Sequence, residues 1–347
     1  MANNDARTAP TCNTMPFRNC VKAWYLIAMS NEKPVLVSGI KPTGDLHIGN
    51  YFGAMRQIVE LTKEGKYRPF IFVADYHALN TMQDAEEMRR RTRELVMAYI
   101  AVGLDPKEVV FFKQSDVPAH TELAWIFDTI TTMPYLMRAH AFKDAEAKSK
   151  DISVGTFNYP MLMAADILLY DTAVVPVGAD QKQHIEIARD TAEKFNRVYK
   201  TEVFKLPEPY IMPEVAIVPG TDGQKMSKSY GNVIPLFASH DELVKAVMGI
   251  VTDSSGSRPE NVFQIHKLVR SEQELEQVYA EHEGNYKKLK EMLIVDLERY
   301  LAPMNAKYEE LKNDSSIVEE VLEKGKREAR AVSEAKMEEV RKAIGVA

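Results

Sequence analysis

Apolar residues along this chain gather in short unbroken runs separated by stretches of helical spacing. Val35-Leu36-Val37-Ser38-Gly39 is the first run and reads as a buried strand closing on a glycine. After a Pro42-Thr43-Gly44-Asp45 turn, Phe52, Met55, Ile58 and Val59 recur at helical spacing, which predicts a helix from about Gly49 to Lys63. Pro69 to Ala74 predicts a second strand, 84–103 an amphipathic helix, Glu108 to Phe112 a third strand and 119–132 another helix. Val175-Pro176-Val177-Gly178 is a further strand that opens a helix. Strands that are apolar throughout, rather than alternating, are covered on both faces, so the pattern predicts an α/β fold with a parallel sheet and helices on both sides. Ligands in such folds sit at the carboxyl ends of the strands.

From about Asp241 the pattern changes. Strand signals stop and long charged helices take over at Glu272–His282, Tyr286–Leu311 and Ser316–Ile344. Ser316 with Glu319 predicts a capping box at the start of the last one. The expected division is therefore 1–33 as a disordered or artefactual extension, 34–240 as the α/β catalytic domain and 241–347 as an all-helical domain. Within the extension, the apolar run from Val21 to Met29 contains Lys22 and is too short to span a membrane. Its basic flank is too weak for a secretory signal, and Met29 reads as the actual start.

Composition adds limits. The 347 residues are 45% hydrophobic and 27% charged, with a net charge of −6, so nucleic-acid contact has to rest on a local basic patch. Cys12 and Cys20 lack the pattern of a zinc site, a cluster or a disulfide framework, which fits a reducing, cytoplasmic setting.

Four segments carry chemistry. In Pro42-Thr43-Gly44-Asp45-Leu46-His47-Ile48-Gly49-Asn50 a strand runs through a glycine turn into a helix, whose first amides and dipole favour phosphate. His47 and Asn50 lie one helical turn apart and could both donate to a phosphate, and Gly49 permits close approach of adenine or ribose. The bland alternative is an ordinary turn with a surface histidine. The G-x-G-x-x-G pattern and the P-loop are absent. Gly220-Thr221-Asp222-Gly223-Gln224-Lys225-Met226-Ser227-Lys228-Ser229 places two lysines on a glycine-held loop suited to closing over a leaving pyrophosphate. In Tyr159-Pro160-Met161-Leu162-Met163-Ala164-Ala165-Asp166, Tyr159, Met163 and Asp166 share one helix face. A carboxylate in so apolar a helix is either a salt-bridged core aspartate or the acceptor for a ligand N–H. Gly178 and Asp180 at the end of the fourth strand suit a ribose and its hydroxyls, while His184 reads as structural. His77, after Asp75 at the second strand's end, either lines the same pocket or is a satisfied core histidine.

The first two segments carry a resemblance. His47-Ile48-Gly49-Asn50 resembles the HIGH signature of class I aminoacyl-tRNA synthetases, and Lys225–Ser229 carries their KMSKS signature letter for letter. The similarity runs from about Val35 to the C-terminus and is greatest to the bacterial tryptophanyl type. It implies a Rossmann-like catalytic domain, Mg²⁺-dependent use of ATP, L-tryptophan and tRNA(Trp) as substrates, and a homodimer not attached to a membrane. By the same resemblance His47, Asn50, Lys225 and Lys228 are catalytic. ATP is held by Lys41, Pro42, Thr43, Gly49, Asn50, Gly178, Ala179, Asp180 and the loop Lys225, Met226, Ser227, Lys228, Ser229. Tryptophan is held by Tyr159, Met163, Asp166, Gln181 and His77, with Asp166 accepting the indole N–H. Asp166→Ala is then expected to lower kcat/KM for tryptophan far more than stability. The tyrosyl enzymes carry a glutamine at the position of Met163, and a polar group lost there suits an indole better than a phenol. A non-catalytic RNA- or protein-binding paralogue is a further alternative, opposed by His47, Lys225 and Lys228.

Three positions depart from the family pattern. Tyr76 and Lys41 both stand where glutamine is usual. In Phe142-Lys143-Asp144-Ala145, alanine replaces a second lysine, for which Lys148 or Lys150 are the candidate substitutes. In the helical part, Lys287, Lys288, Lys290, Lys326, Arg327 and Arg330 are candidate tRNA phosphate contacts, weighed against a plain solvated helix face.

Overall fold

The apolar runs do pair side by side. The computed structural model describes residues 33–42, 44–147, 151–178, 182–212, 218–252 and 258–347. The strands are β1 (Val35–Ile40), β2 (Arg68–Val73), β3 (Val110–Lys113), β4 (Val174–Val177) and β5 (Glu208–Ile211), in the order β3-β2-β1-β4-β5. Every pairing is parallel. The reason is visible in the pleat, where Phe70, Phe72 and Phe112 point to one apolar layer while Ile71, Val73 and Phe111 point to the other.

Helix α1 follows β1 as Ile48–Asn50, a π-helical turn over Tyr51–Met55, and Arg56–Lys63. The spacing predicted a plain helix there, and the π turn is the difference. Next come α2 (Ala85–Ala101), α3 (Ala119–Ile130), α4 (His140–Ala147), α5 (Val154–Leu168) and α6 (Lys182–Tyr199). The helical part holds α7 (His240–Met248), α8 (Glu260–His266), α9 (Glu272–Glu281), α10 (Tyr286–Asn313) and α11 (Ser316–Ile344). Among the described residues no helix is long and apolar enough to cross a membrane.

Two details correct the sequence reading. The start of α11 is not held by a Ser316–Glu319 box. Instead Asp314 Oδ1 accepts from the Ser316 N–H (3.1 Å) and hydroxyl (2.6 Å), because an aspartate two residues back reaches those donors more directly. Lys290 is buried, whereas Arg330 stays exposed while making one bond within the chain. Lys290 Nζ donates to the carbonyls of Met248 (2.9 Å) and Ile250 (2.6 Å), and Arg330 Nε donates to the Asp116 carbonyl.

Helix α11 returns to the sheet and covers the backbone of edge strand β3. It is pinned there by Lys336 to Asp171 (2.7 Å) and by Arg341 to Glu122 (2.6 Å). The approach needs a glycine, since a Cβ on Gly325 would overlap the Phe111 carbonyl oxygen. Gly325→Ala is therefore expected to lower stability by about 1–3 kcal/mol despite alanine's better helix propensity. Chemical denaturation checks this, and an unchanged or raised midpoint would show that the helix yields freely.

Candidate active site

The turn after β1 and the lysine loop, far apart in sequence, are built as one piece. Gly44 turns the chain at φ +72°. His47 caps α1, its backbone N–H donating to Asn50 Oδ1 at 3.1 Å. Ile48 N–H then donates to the Ile234 carbonyl (3.0 Å), and Leu236 N–H to the Leu46 carbonyl (3.0 Å). The stretch just beyond the lysine loop is thereby laced to the helix start. Two of the first amides are thereby taken, Ile48 N–H by Ile234 and Asn50 N–H by the His47 carbonyl (2.8 Å). The turn also offers the His47 ring, whose buried Nδ1 has no hydrogen-bond partner among the described residues. A Cβ at Gly49 would lie 2.8 Å from that nitrogen and 3.2 Å from Met226 Cβ. Gly49 thus serves the contact between the two motifs.

The lysine loop is ordered by a residue the sequence reading passed over. Asn232, buried, accepts from Ser227 N–H (2.8 Å) and donates to Asp222 Oδ1 (2.6 Å) and the Lys225 carbonyl (3.2 Å). Gly223 and Gly231 take the positive φ values, 83° and 66°, that the loop requires. Met226 is buried, Ser227 and Ser229 share a hydroxyl contact of 2.9 Å, and Lys225 is exposed. Lys228 reaches across to the other motif, its Nζ lying so close over Gly44 that a Cβ there would overlap it.

Beside this assembly a cavity of about 570 Å³ opens at the carboxyl ends of β1 and β4. It is lined among others by Lys41, His77, Tyr159, Met163, Asp166, Gly178 and His184. Lys41 and Pro42 also line a smaller recess of about 190 Å³ at the Gly44 turn, together with Arg91, Phe237 and Tyr308. Lys41 borders both spaces, and its Nζ stands 6.0 Å from the Tyr159 ring centre. The structure thus brings Tyr159, Met163, Asp166 and His77 to one cavity. Thr43, Ala179, Asp180, Gln181, Lys148 and Lys150 lie outside the described residues. Lys143 is exposed on α4, and Tyr76 is half-buried outside the cavity lining.

At the cavity floor Asp166 is 2% exposed and lies within ion-pair distance of two histidines, as a salt-bridged core aspartate does. His77 Nε2 (2.8 Å), Gln114 Nε2 (2.7 Å) and His120 Nδ1 (2.6 Å) all reach its carboxylate. Burial pushes its pKa up, but the bonds and charge of His120 and His77 outweigh that and hold it at about 2. Asp75, at the end of β2, accepts from Ser115 N–H (3.0 Å) and hydroxyl and so ties the turn after β3 to the same edge. Gln114, His120 and Tyr170 were missed from the sequence. The one local signal is His120 in the first turn of an otherwise apolar helix face.

Residues 29–335 match the family described as tRNA synthetases class I (W and Y). The chain belongs to this family. A tryptophan–tRNA ligase of Fusobacterium nucleatum is 44% identical over 318 residues, covering 89% of this chain and 97% of that one. The crystal structure of a Campylobacter jejuni tryptophanyl-tRNA synthetase with ADP and tryptophan superposes with a TM-score of 0.83. It is 42% identical and covers 89% of this chain and 99% of its own. The Mycoplasma pneumoniae tryptophanyl enzyme gives a TM-score of 0.74 at 28% identity, covering 91% and 98%.

In this synthetase, burial and then the positive charge of Lys228 depress the His47 pKa from 6.5 to about 4. The fold favours the neutral ring, so unfolding takes up a proton below the unfolded value. The stability His47 contributes is therefore full above pH 6.5 and lost as pH falls toward 4. Denaturation midpoints of wild type and His47→Asn should converge between neutral and acidic pH. A constant gap would mean that the ring titrates normally.

Proposed function

We propose that this chain is a tryptophan–tRNA ligase. It activates L-tryptophan with ATP to tryptophanyl-adenylate and pyrophosphate, then passes the acyl group to the terminal adenosine of tRNA(Trp). The observation that carries this reading is the ionised Asp166 at the floor of a cavity that borders, through Lys41, the recess of the Gly44–His47 turn. An indole N–H needs a buried acceptor, and the apolar side chain of Met163 beside it suits the ring. The tryptophan carboxylate is already a nucleophile, so the first step asks for position and charge stabilisation rather than a strong base.

In this reading neutral His47 and the Asn50 amide meet the α-phosphate, and Lys228 with Lys225 balances the charge leaving as pyrophosphate. Lys41, between the two spaces, offsets the repulsion of carboxylate and phosphate, and makes up for the lysine absent at Ala145. Gly178 and Asp180 take the ribose, and Gln181 with Tyr159 takes the ammonium group. Mg²⁺ arrives on the ATP phosphates, as this small cation usually does where phosphates supply most of its oxygen ligands.

Residues 241–347 form the anticodon-reading part, in which Lys287, Lys288, Lys326 and Arg327 remain the candidate phosphate contacts. The working form is a cytoplasmic homodimer. Trp125 (69% exposed) and Met133 (66%) leave an apolar surface on and just after α3 that a second copy would cover. ATP–pyrophosphate exchange with tryptophan and tyrosine in parallel tests the reaction. Exchange with tryptophan alone is expected. Exchange driven by tyrosine would overturn the specificity, and none with either in a folded chain would point to a non-catalytic paralogue.

A further inference from the structure

The donors around Asp166 do more than neutralise it. An ionised carboxylate only accepts, at about four positions. Gln114 and His120 both bond to Oδ1 (2.7 and 2.6 Å), whereas His77 alone bonds to Oδ2 (2.8 Å). Among the described residues one acceptor position therefore remains, on Oδ2. The terminal torsion of an aspartate is soft, so the direction of that position depends on whatever grips Oδ1. His120 is itself gripped from behind, with Nε2 2.8 Å from the buried Tyr170 hydroxyl. Its Nδ1–H serves Asp166, so Nε2 meets the Tyr170 hydroxyl, accepting from it when the ring is neutral and donating to it when the ring is charged. Neither a flip nor a change of tautomer is possible without losing a bond. Gln114 is oriented in the same way, since its Oε1 accepts from the His77 N–H at 3.4 Å and leaves Nε2 for the carboxylate.

We propose that Gln114, His120 and Tyr170 are positioning residues for substrate selection, which aim the remaining acceptor position of Asp166 at the indole N–H. The proposal rests on tryptophan as substrate and on Asp166 as its N–H acceptor. A purely structural role would affect every substrate alike, whereas aiming affects only a substrate that has the donor.

The test compares kcat/KM for tryptophan with that for its benzothiophene analogue, in which sulfur replaces the indole N–H. Both are measured by ATP–pyrophosphate exchange on the full chain. The wild type should prefer tryptophan by about 10²-fold or more. Tyr170→Phe keeps the ring contacts with Phe70 (centroids 4.8 Å apart) and Phe112 (5.8 Å) and removes only the hydroxyl. It should cut the preference about tenfold through a higher KM for tryptophan, leaving the analogue's kcat/KM within about twofold. Gln114→Met, close in length, should act in the same direction and serves where Tyr170→Phe does not fold. An unchanged preference in a folded variant, with both substrates falling together, overturns the proposal. Equal use of both substrates by the wild type would overturn Asp166 as N–H acceptor, and the positioning with it. No exchange with tryptophan at all would overturn the proposed function.

Discussion

Asp166→Asn is expected to lower kcat/KM for tryptophan by roughly 10²–10⁴-fold while the chain stays folded. Alanine is the poorer test, and the structure says why. Removing the carboxylate strands the donors of His77, Gln114 and His120 in a buried site, at about 1–3 kcal/mol each. Lost folding would then be mistaken for lost recognition. Asparagine keeps one oxygen for Gln114 and His120 but puts an NH₂ where Oδ2 stood, so donor meets donor at the indole. The loss should appear in activity per folded molecule, with a thermal midpoint only a few degrees lower. A fall below about tenfold, in a variant shown to be folded, would mean that the indole N–H finds its acceptor elsewhere.

What the sequence made legible follows from how local each signal is. The His47 turn and the Lys225–Ser229 loop are contiguous strings, so their chemistry is readable without coordinates. The bonds that join them, Ile48 N–H to Ile234 and Leu236 N–H to Leu46, lie between residues with no distinguishing side chain and leave no trace in the string. Asp166 was legible as a carboxylate out of place in an apolar helix. Its partners were not, because Gln114 follows β3, His120 sits on α3 and Tyr170 follows α5. Only the sheet order brings those three positions to one point. β5 escaped because Glu208-Pro209-Tyr210-Ile211 is an edge strand without a continuous apolar run. The helical spacing of Lys290 suggested a solvent-facing cation, and a period alone cannot tell a cation facing water from one bonding carbonyls inside the fold.

Lys228→Ala should reduce the rate of tryptophan-dependent pyrophosphate exchange by about 10²–10³-fold, the scale of removing one preorganised charge from a developing anion. The effect should fall on kcat, with KM for tryptophan nearly unchanged, because the lysine stands over Gly44 rather than in the cavity around Asp166. Lys225, exposed and joined to the site through its backbone carbonyl, should matter less when truncated alone. Gly44→Ala offers an independent check. It places a methyl group where Lys228 Nζ lies and strains a turn at φ +72°, so it should mimic the lysine variant without removing any charge. Transfer from preformed tryptophanyl-adenylate to tRNA should survive in Lys228→Ala, since no pyrophosphate leaves in that step. If transfer falls as steeply as exchange, Lys228 holds the adenylate itself, and its contact with Gly44 is part of the binding site rather than of the departure of pyrophosphate.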